Sequence, residues 1–252
     1  MFLPAPPDPA RIAFLGEWRY AHRGLHEGRQ PLENSLPAFQ AAIDAGYGIE
    51  CDVRLSADGV VYVFHDDTLD RLTGAGGRFS AFASDRLDAI LLDGDNGSIP
   101  RLAALLARVE GRVPLLIEMK ITAQEAVAPL CEMVRRALAD YKGNIAVMSF
   151  DPRISRWFRK HAPHVPRGLV VTEEEARGMW GYCKRHLAMR YAHPDFLAYD
   201  IRDLPSPFAT SARQAGFPVL SWTVRTADQW RTVAAYADAP IFEGSADATD
   251  GR

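Results

Sequence analysis

The chain has 252 residues, of which 48% are hydrophobic and 24% are charged, and its formal net charge is −3. This is the composition of an ordinary globular protein, and the net negative charge argues against a general nucleic-acid-binding protein. No apolar run approaches the ~20 residues of a membrane span, so we expect no integral membrane contact.

The start of the chain and the cysteines predict the cellular compartment. Met1 to Ala10 is rich in proline and lacks a basic leading segment, so it does not resemble a signal peptide. Cys51, Cys131 and Cys183 are far apart and have no metal-ligand spacing. We therefore expect reduced thiols and a cytoplasmic protein.

The first third of the chain predicts two helices and three strands. Asp-Gly at positions 58 and 59 joins two apolar runs, which is a strong hairpin signal. The predicted elements are a helix capped by Asp8 and running to Phe14, strand Arg19 to His22, helix Leu36 to Ala45, strand Ile49 to Leu55 and strand Val60 to Phe64. Residues 67–99 then interrupt the pattern, and so long a connection in a compact domain is usually functional.

From Pro100 onward, helices and strands alternate regularly. The predicted helices are Arg101–Val109, Gln124–Tyr141, Arg153–His161, Glu173–Met189 (which Gly181 can break), Ser206–Ala215 and Ala227–Tyr236. The predicted strands are Val113–Glu118, Ile145–Ser149, Gly168–Val171, Phe196–Asp200, Val219–Thr223 and Pro240–Glu243.

Apart from the hairpin run Val60 to Phe64, there are eight strand candidates that alternate with helices, which is typical of a parallel sheet closed into a (β/α)8 TIM barrel. The length suits a single domain of residues 1–252, with a small insertion at about 67–99 after the second strand. No helix is predicted after the last strand, where Ser245 to Arg252 look like a loose tail. An open doubly wound sheet is therefore the alternative fold.

Acidic residues are concentrated on two of the predicted strands. Side chains alternate along a strand, so Glu50 and Asp52 share one face, and Glu118 and Lys120 share another. The active sites of barrels lie at the C-terminal ends of the strands. Buried acids need partners, and a hard divalent cation is the obvious one. An edge strand whose acids face water is the alternative.

Two histidines are candidates for proton transfer. His22 ends the first strand, ahead of Arg23 and Gly24, and His65 ends the apolar run of the hairpin. Both are expected at the rim that carries the carboxylates, where they can act as an acid/base pair. The remaining histidines lie in loops or near helix ends and are expected at the surface: His26, His161, His164, His186 and His193.

Eight segments between about residue 19 and residue 244 carry a family pattern. In chain order they are Ala21-His22-Arg23-Gly24, Pro31-Leu32-Glu33-Asn34-Ser35, Glu50-Cys51-Asp52-Val53, His65-Asp66-Asp67-Thr68-Leu69-Asp70-Arg71, Ile99-Pro100-Arg101-Leu102, Ile117-Glu118-Met119-Lys120, Ser149-Phe150-Asp151 and Ser221-Trp222-Thr223-Val224. Together they resemble the glycerophosphodiester phosphodiesterase family. The resemblance implies metal-dependent hydrolysis of a small-molecule glycerophosphodiester to glycerol 3-phosphate and an alcohol.

The resemblance also implies a role for individual residues. One divalent cation, Mg²⁺ or Ca²⁺, would be held by Glu50, Asp52 and Glu118, and His22 and His65 would be the acid/base pair. The implied substrate-binding residues are Arg23, Glu33, Lys120 and Trp222.

Two departures from the family pattern put the identity of the substrate in doubt. Arg225 stands where the family usually has Asn or Asp, and Ile241-Phe242-Glu243-Gly244 replaces a closing Thr-Asp segment. One alternative function is a lysophospholipase D-type activity on lipids, which needs an apolar opening. The candidates for that opening are Phe79, Phe82, Trp180 and Tyr182. The other alternative is a non-catalytic barrel used as a binding module. The sequence does not indicate an oligomeric state.

Overall fold

The computed structural model describes residues 3–26, 30–94, 96–174 and 176–244. The predicted tail, Ser245 to Arg252, lies outside the described residues. Within them the strands are β1 (Tyr20–Ala21), β2 (Gly48–Leu55), β3 (Val61–Val63), β4 (Leu115–Met119), β5 (Ile145–Ser149), β6 (Arg167–Val171), β7 (Phe196–Asp200), β8 (Val219–Val224) and β9 (Ala239–Phe242).

The strands form one sheet in the order β1-β9-β8-β7-β6-β5-β4-β2-β3, and β1 also pairs with β2. Eight strands therefore close on themselves, while β3 adds to β2 as the antiparallel arm of the predicted hairpin. The neighbouring pairs β2–β4 and β5 to β9 are parallel. The fold is the predicted (β/α)8 barrel, and the open doubly wound sheet is wrong.

Helices separate most of the strands. They are α1 (Pro9–Ile12), α2 (Leu36–Asp44), α3 (Ser84–Asp88), α4 (Leu102–Val109), α5 (Val127–Ala137), α6 (Pro152–His161), α7 (Gly178–Ala192), α8 (Pro207–Gln214) and α9 (Ala227–Tyr236). None of them, in the part of the chain that the structure describes, is long and apolar enough to cross a membrane.

Side-chain caps fix where several helices begin. Asp8, Ser35, Asp151, Ser206 and Thr226 each accept a hydrogen bond from a backbone N–H in the first turn of the following helix. Such caps satisfy donors that have no partner inside the helix. The predicted cap at Asp8 is confirmed, and helix starts elsewhere agree with prediction to within a few residues.

The predicted helix Glu173–Met189 is wrong at its start, and its break at Gly181 does not occur. The backbone N–H of Glu173 donates to the carboxylate of Asp203 at 2.6 Å, which holds this residue in a loop ahead of α7. Gly181 lies within α7, where an added Cβ would clash with the carbonyl oxygen of Ala176. The glycine therefore permits close packing and does not interrupt the helix.

By their internal contacts the residues form two compact units, one of Met1–Tyr20 with Ala146–Arg252 and one of Ala21–Ile145. The second unit contains the predicted insertion, which has a hydrophobic core shared with the β2–β3 hairpin. Phe79 is fully buried there and stacks on Phe64 at 5.1 Å between ring centroids. The core consists of Leu32, Tyr62, Phe64, Leu69, Leu72, Phe79, Leu87, Leu92 and Ile99.

This core also tests two of the residues predicted to form an apolar opening for a lipid substrate. Phe82 packs against the same cluster that buries Phe79. Phe79 is therefore not available to line an apolar opening for a lipid, and that candidate is wrong, whereas Phe82 is only partly buried and stays a prediction.

We expect Phe79→Ala to lower the free energy of unfolding by about 3–5 kcal/mol, the usual cost of removing a fully buried aromatic side chain. Leu91→Ala is the control, because Leu91 lies in the same insertion but is 67% exposed, and it should change stability by about 0.5 kcal/mol or less. Urea denaturation measures both. Equal losses for the two variants would contradict the assignment of Phe79 to the core.

Candidate active site

Three buried carboxylates meet on one face of β2 and β4. The parallel register places Asp52 beside Glu118, and Glu50 lies two residues before Asp52 on the same face. One carboxylate oxygen from each of the three residues lies within 4.8 Å of the other two. Glu50 and Asp52 are fully buried, and Glu118 is 6% exposed. The alternative of a solvated edge strand is therefore wrong.

A tight turn after β1 brings the first histidine to this cluster. Gly24 has φ +83°, and an added Cβ would lie 2.9 Å from the backbone and Cβ of Ala38. The turn directs the backbone N–H of Arg23 to Glu50 Oε2 at 3.1 Å, and it places His22 Nε2 3.8 Å from the same oxygen. The imidazole and the carboxylate cluster are thus adjacent.

Two cationic side chains contact the carboxylates. Lys120 Nζ lies 2.6 Å from Glu118 Oε1 and 3.2 Å from Asp52 Oδ1. Arg23 Nε lies 3.1 Å from Asp52 Oδ2. Two of the predicted substrate-binding residues, Arg23 and Lys120, are therefore in direct contact with predicted metal ligands.

The cations compensate the three acids unequally. Burial raises the pKa of Glu50 well above its ordinary value, and the charges of Asp52 and Glu118 raise it further. Burial also raises the pKa of Glu118, although Lys120 partly offsets this effect. Burial alone would raise the pKa of Asp52, but Lys120 and Arg23 outweigh it and hold that pKa well below its ordinary value. The cluster as described lacks enough positive charge for three ionised carboxylates.

The donor set fits a hard divalent cation. Glu50 Oε1 is buried and has no hydrogen-bond partner among the described residues. Ca²⁺ and Mg²⁺ prefer carboxylate oxygens, and a cation bound here would relieve the repulsion that raises the pKa of Glu50. A cation site formed by Glu50, Asp52 and Glu118 therefore stays a prediction that the geometry supports.

The second histidine is held by a carboxylate. His65 Nδ1 lies 2.7 Å from Asp66 Oδ1. Burial alone would raise the pKa of Asp66, but Arg71 and His65 outweigh it and lower the pKa to about 2, so Asp66 is ionised near neutrality. An ionised carboxylate only accepts, so Nδ1 carries the proton of the neutral ring and Nε2 is the basic nitrogen. Burial lowers the pKa of His65 itself, which favours that neutral form.

Arg71 connects this histidine to the carboxylate cluster. Its guanidinium donates to Asp66 Oδ2 at 2.6 Å and to Glu33 Oε2 at 2.8 Å. Glu33 in turn accepts from Arg23 Nη1 at 2.6 Å. The predicted residue Glu33 is therefore placed between two arginines and fixes the arginine that contacts Asp52.

Sequence reasoning assigned no role to three residues that hold the site together. They are Asn34, Asp66 and Arg71, and all three stood in the segments that carry the family pattern. Asn34 is buried, its side-chain amide donates to Asp52 Oδ2 at 2.9 Å, and its Oδ1 accepts from the Asp52 N–H at 3.3 Å. The available signal was that Asn34 and Asp66 directly follow residues predicted to belong to the site, Glu33 and His65.

The prediction of a surface position is wrong for His186. It is 2% exposed, and its ring lies against those of Tyr182 and Phe208. His161 and His164 are exposed as predicted. Position along a helix did not reveal which face is buried, because α7 is apolar on more than one side.

The remaining predicted residue, Trp222, lies on β8. Its indole N–H donates to the carbonyl of Ala198 at 2.9 Å, and its ring meets Phe150 edge-to-face at 5.6 Å. The two departures from the family pattern contact each other, since Arg225 Nε lies 2.7 Å from Glu243 Oε2. The unusual residues at these two positions thus form an ion pair.

Comparisons with known proteins support the resemblance to the glycerophosphodiester phosphodiesterase family that the sequence motifs indicate. The chain is 28% identical to the glycerophosphodiester phosphodiesterase of Caldanaerobacter subterraneus subsp. tengcongensis, over 88% of this chain and 92% of that one. It is 31% identical to the probable glycerophosphodiester phosphodiesterase 2 of Mycobacterium tuberculosis, over 86% and 83% of the two chains. Its fold is similar to that of an Oleispira antarctica phosphodiesterase solved with the product sn-glycerol-3-phosphate, with a TM-score of 0.75, 22% identity, and 89% and 92% of the chains covered.

The barrel and the carboxylate cluster together define the class of protein. It is a barrel enzyme whose polar site lies near the ends of the strands. The chain belongs to the glycerophosphoryl diester phosphodiesterase family, whose sequence model matches residues 22–243. It is therefore a phosphodiesterase, and the resemblance found in the sequence is confirmed.

We expect Gly24→Ala to destabilise the protein more than Gly46→Ala. Both glycines have positive φ, +83° and +73°, so each substitution costs about 1–2 kcal/mol of backbone strain. Only Gly24 faces a close neighbour, Ala38, and overpacking there should add about 1–3 kcal/mol, whereas nothing lies within 4 Å of a Cβ at Gly46. Urea denaturation of the two variants measures the difference. Equal destabilisation would show that the close packing of this turn is not required.

Proposed function

We propose that this phosphodiesterase hydrolyses glycerophosphodiesters to glycerol 3-phosphate and an alcohol, with one divalent cation and two histidines. The observation that carries the proposal is the convergence of three buried carboxylates within 4.8 Å, beside two cationic side chains and a histidine. The names of the relatives and the product bound to the Oleispira antarctica enzyme support the choice of substrate.

Glu50, Asp52 and Glu118 are the proposed ligands of the cation, Mg²⁺ or Ca²⁺. When bound, such a cation neutralises negative charge on a phosphodiester and acts as a Lewis acid. The oxygen-only ligand set suits both ions.

Arg23 and Lys120 are the proposed phosphate-binding residues. Their positive charges are held beside the carboxylates, and a phosphodiester approaching the cluster meets both of them. Arginine presents a planar set of donors to phosphate oxygens, while lysine supplies a compact charge. Fixed cations of this kind stabilise the extra negative charge that develops in the transition state. Glu33 contributes by holding Arg23, and Trp222 is proposed to contact the remainder of the substrate.

His22 and His65 are the proposed acid and base. Hydrolysis requires one group to remove a proton from the oxygen nucleophile that attacks the phosphorus. Another group must protonate the departing alkoxide. His65 is suited to transfer a proton at Nε2, because Asp66 holds its Nδ1. His22 Nε2 lies 3.8 Å from Glu50 Oε2, which places this imidazole beside the carboxylate cluster.

The cation requirement predicts that chelation removes activity and stability together. After dialysis against EDTA we expect loss of glycerol 3-phosphate release and a lower melting temperature, both restored by Mg²⁺ or Ca²⁺. A ligand present at about 100 times its Kd adds about 2.7 kcal/mol of stability. The assay should use a panel of glycerophosphodiesters, which also defines the preferred alcohol.

Glu50→Gln should lose the shift in melting temperature that the cation produces, and Glu110→Gln should retain it, since Glu110 is exposed and outside the cluster. Full activity of the wild-type enzyme in excess EDTA would falsify the cation site.

The acid/base assignment predicts that His22→Ala and His65→Ala each reduce turnover by about 10²–10⁴-fold while leaving the melting temperature near that of the wild type. His161→Ala is the matched control, because His161 is exposed and its ring stacks on Trp157 of its own helix. Steady-state kinetics and circular dichroism measure the two effects. The pair is wrongly assigned if all three variants keep the same turnover.

A further inference from the structure

Exposed apolar side chains are concentrated on one helix far along the chain. Among the residues that the structure describes, seven large hydrophobic side chains are exposed, and four of them lie on α7: Met179, Trp180, Leu187 and Tyr191. Met179 and Trp180 are each 78% exposed. Single exposed hydrophobic residues are normal on a protein surface, but such a cluster usually marks an interaction site.

Four of the exposed residues of α7 form a stripe. Trp180, Lys184, Leu187 and Tyr191 are spaced by four, three and four residues, which places them on one face of a helix. The core is contacted by a different face, formed by Gly181, Arg185, His186, Met189 and Ala192. The stripe is therefore not part of the core packing of α7.

The neighbouring helix adds positive charge to this surface. Helices α6 and α7 together contain seven lysines and arginines, four on α6 and three on α7, and no aspartate or glutamate. Of these seven, Arg185 is buried and Arg153 pairs with Asp151 at 2.6 Å, so neither adds charge to the exposed surface. Arg156 of α6 lies 4.6 Å from the ring centroid of Tyr191, so the two exposed surfaces adjoin. Arg156, Lys160 and Lys184 are exposed. This local charge is opposite in sign to the net charge of the whole chain, −3.

The two described acidic residues that precede α7 most closely, Glu173 and Glu174, do not cancel this charge. Glu173 pairs with the buried Arg185 at 2.8 Å, and Glu174 pairs with Arg202 at 2.9 Å. Each is thus compensated by an arginine outside the stripe.

We propose that this surface, the α6–α7 face formed by Arg156, Lys160, Trp180, Lys184, Leu187 and Tyr191, binds the surface of membranes that contain anionic phospholipids. An apolar stripe with tryptophan and tyrosine, flanked by lysine and arginine, matches the interface between lipid headgroups and acyl chains. Basic residues are attracted to anionic headgroups, and tryptophan and tyrosine are enriched at this depth of a bilayer.

Two other occupants fit the face less well. A second copy of the chain in a two-fold dimer would bring the same basic surfaces together without an acidic counterpart. A protein partner usually receives exposed anchors in a complementary pocket. The α6–α7 face is instead an exposed surface of two adjoining helices, which a deformable lipid surface can cover.

The experiment is co-sedimentation of the full chain with vesicles, either of phosphatidylcholine alone or of equal parts phosphatidylcholine and phosphatidylglycerol. We expect binding to the anionic vesicles, weakened by added salt, and little binding to the neutral ones. Each basic residue contributes about fivefold in affinity at low salt, so the double variant Lys160→Ala/Lys184→Ala should bind about 25-fold more weakly. The double variant Arg86→Ala/Lys142→Ala is the charge-matched control and should bind like the wild type, since both residues are exposed elsewhere.

Tryptophan fluorescence tests the apolar part of the α6–α7 face. Anionic vesicles should shift the tryptophan emission of the wild type to shorter wavelength, and Trp180→Phe should lose this shift while remaining folded. Leu187→Ala should weaken binding, whereas Leu91→Ala, which removes an exposed leucine elsewhere, should not.

Three outcomes would overturn the proposal: no binding to anionic vesicles, equal binding to neutral ones, or equal weakening by both double variants. Sedimentation velocity without lipid separates the alternatives, because a dimer that Trp180→Ala dissociates would assign the face to a second copy. Hydrolysis of a water-soluble glycerophosphodiester should be unchanged in all these variants, so the result is independent of the proposed function.

Discussion

The repulsion among three buried carboxylates is the constraint on which the site depends. Glu50, Asp52 and Glu118 are forced together by the register of two parallel strands. Like charges removed from water must be compensated, and this cluster is compensated by Lys120 and Arg23. The raised pKa values of Glu50 and Glu118 show that this compensation is incomplete. Further positive charge beside this cluster would therefore reduce the repulsion among the three carboxylates.

Charges of alternating sign extend outward from the cluster. Asp52 contacts Arg23, Arg23 contacts Glu33, Glu33 contacts Arg71, and Arg71 contacts Asp66, which holds His65. Arg71 belongs to the insertion, whose hydrophobic core includes its neighbour Leu72. The insertion therefore supports the site by holding an arginine between two carboxylates.

Much of the site was readable from the sequence because its parts are local. The two-residue spacing of Glu50 and Asp52 already placed both on one face, and the hairpin that ends before His65 was marked by Asp-Gly. The start of α7 was not readable, because Glu173 is drawn into a loop by Asp203, which lies 30 residues away. The burial of His186 depended likewise on Phe208, a residue of another helix.

The sequence by itself determined the alternation of strands and helices, the family, and which residue types meet at the strand ends. These follow from local periodicity and from short segments whose chemistry is legible one at a time. Only the tertiary structure decided that Asp52 lies beside Glu118, and that Arg71 and Asp66 orient His65. It alone brought the basic residues of α6 beside the apolar stripe of α7. Contacts between residues distant in the chain depend on strand register and helix packing, and no local pattern encodes them.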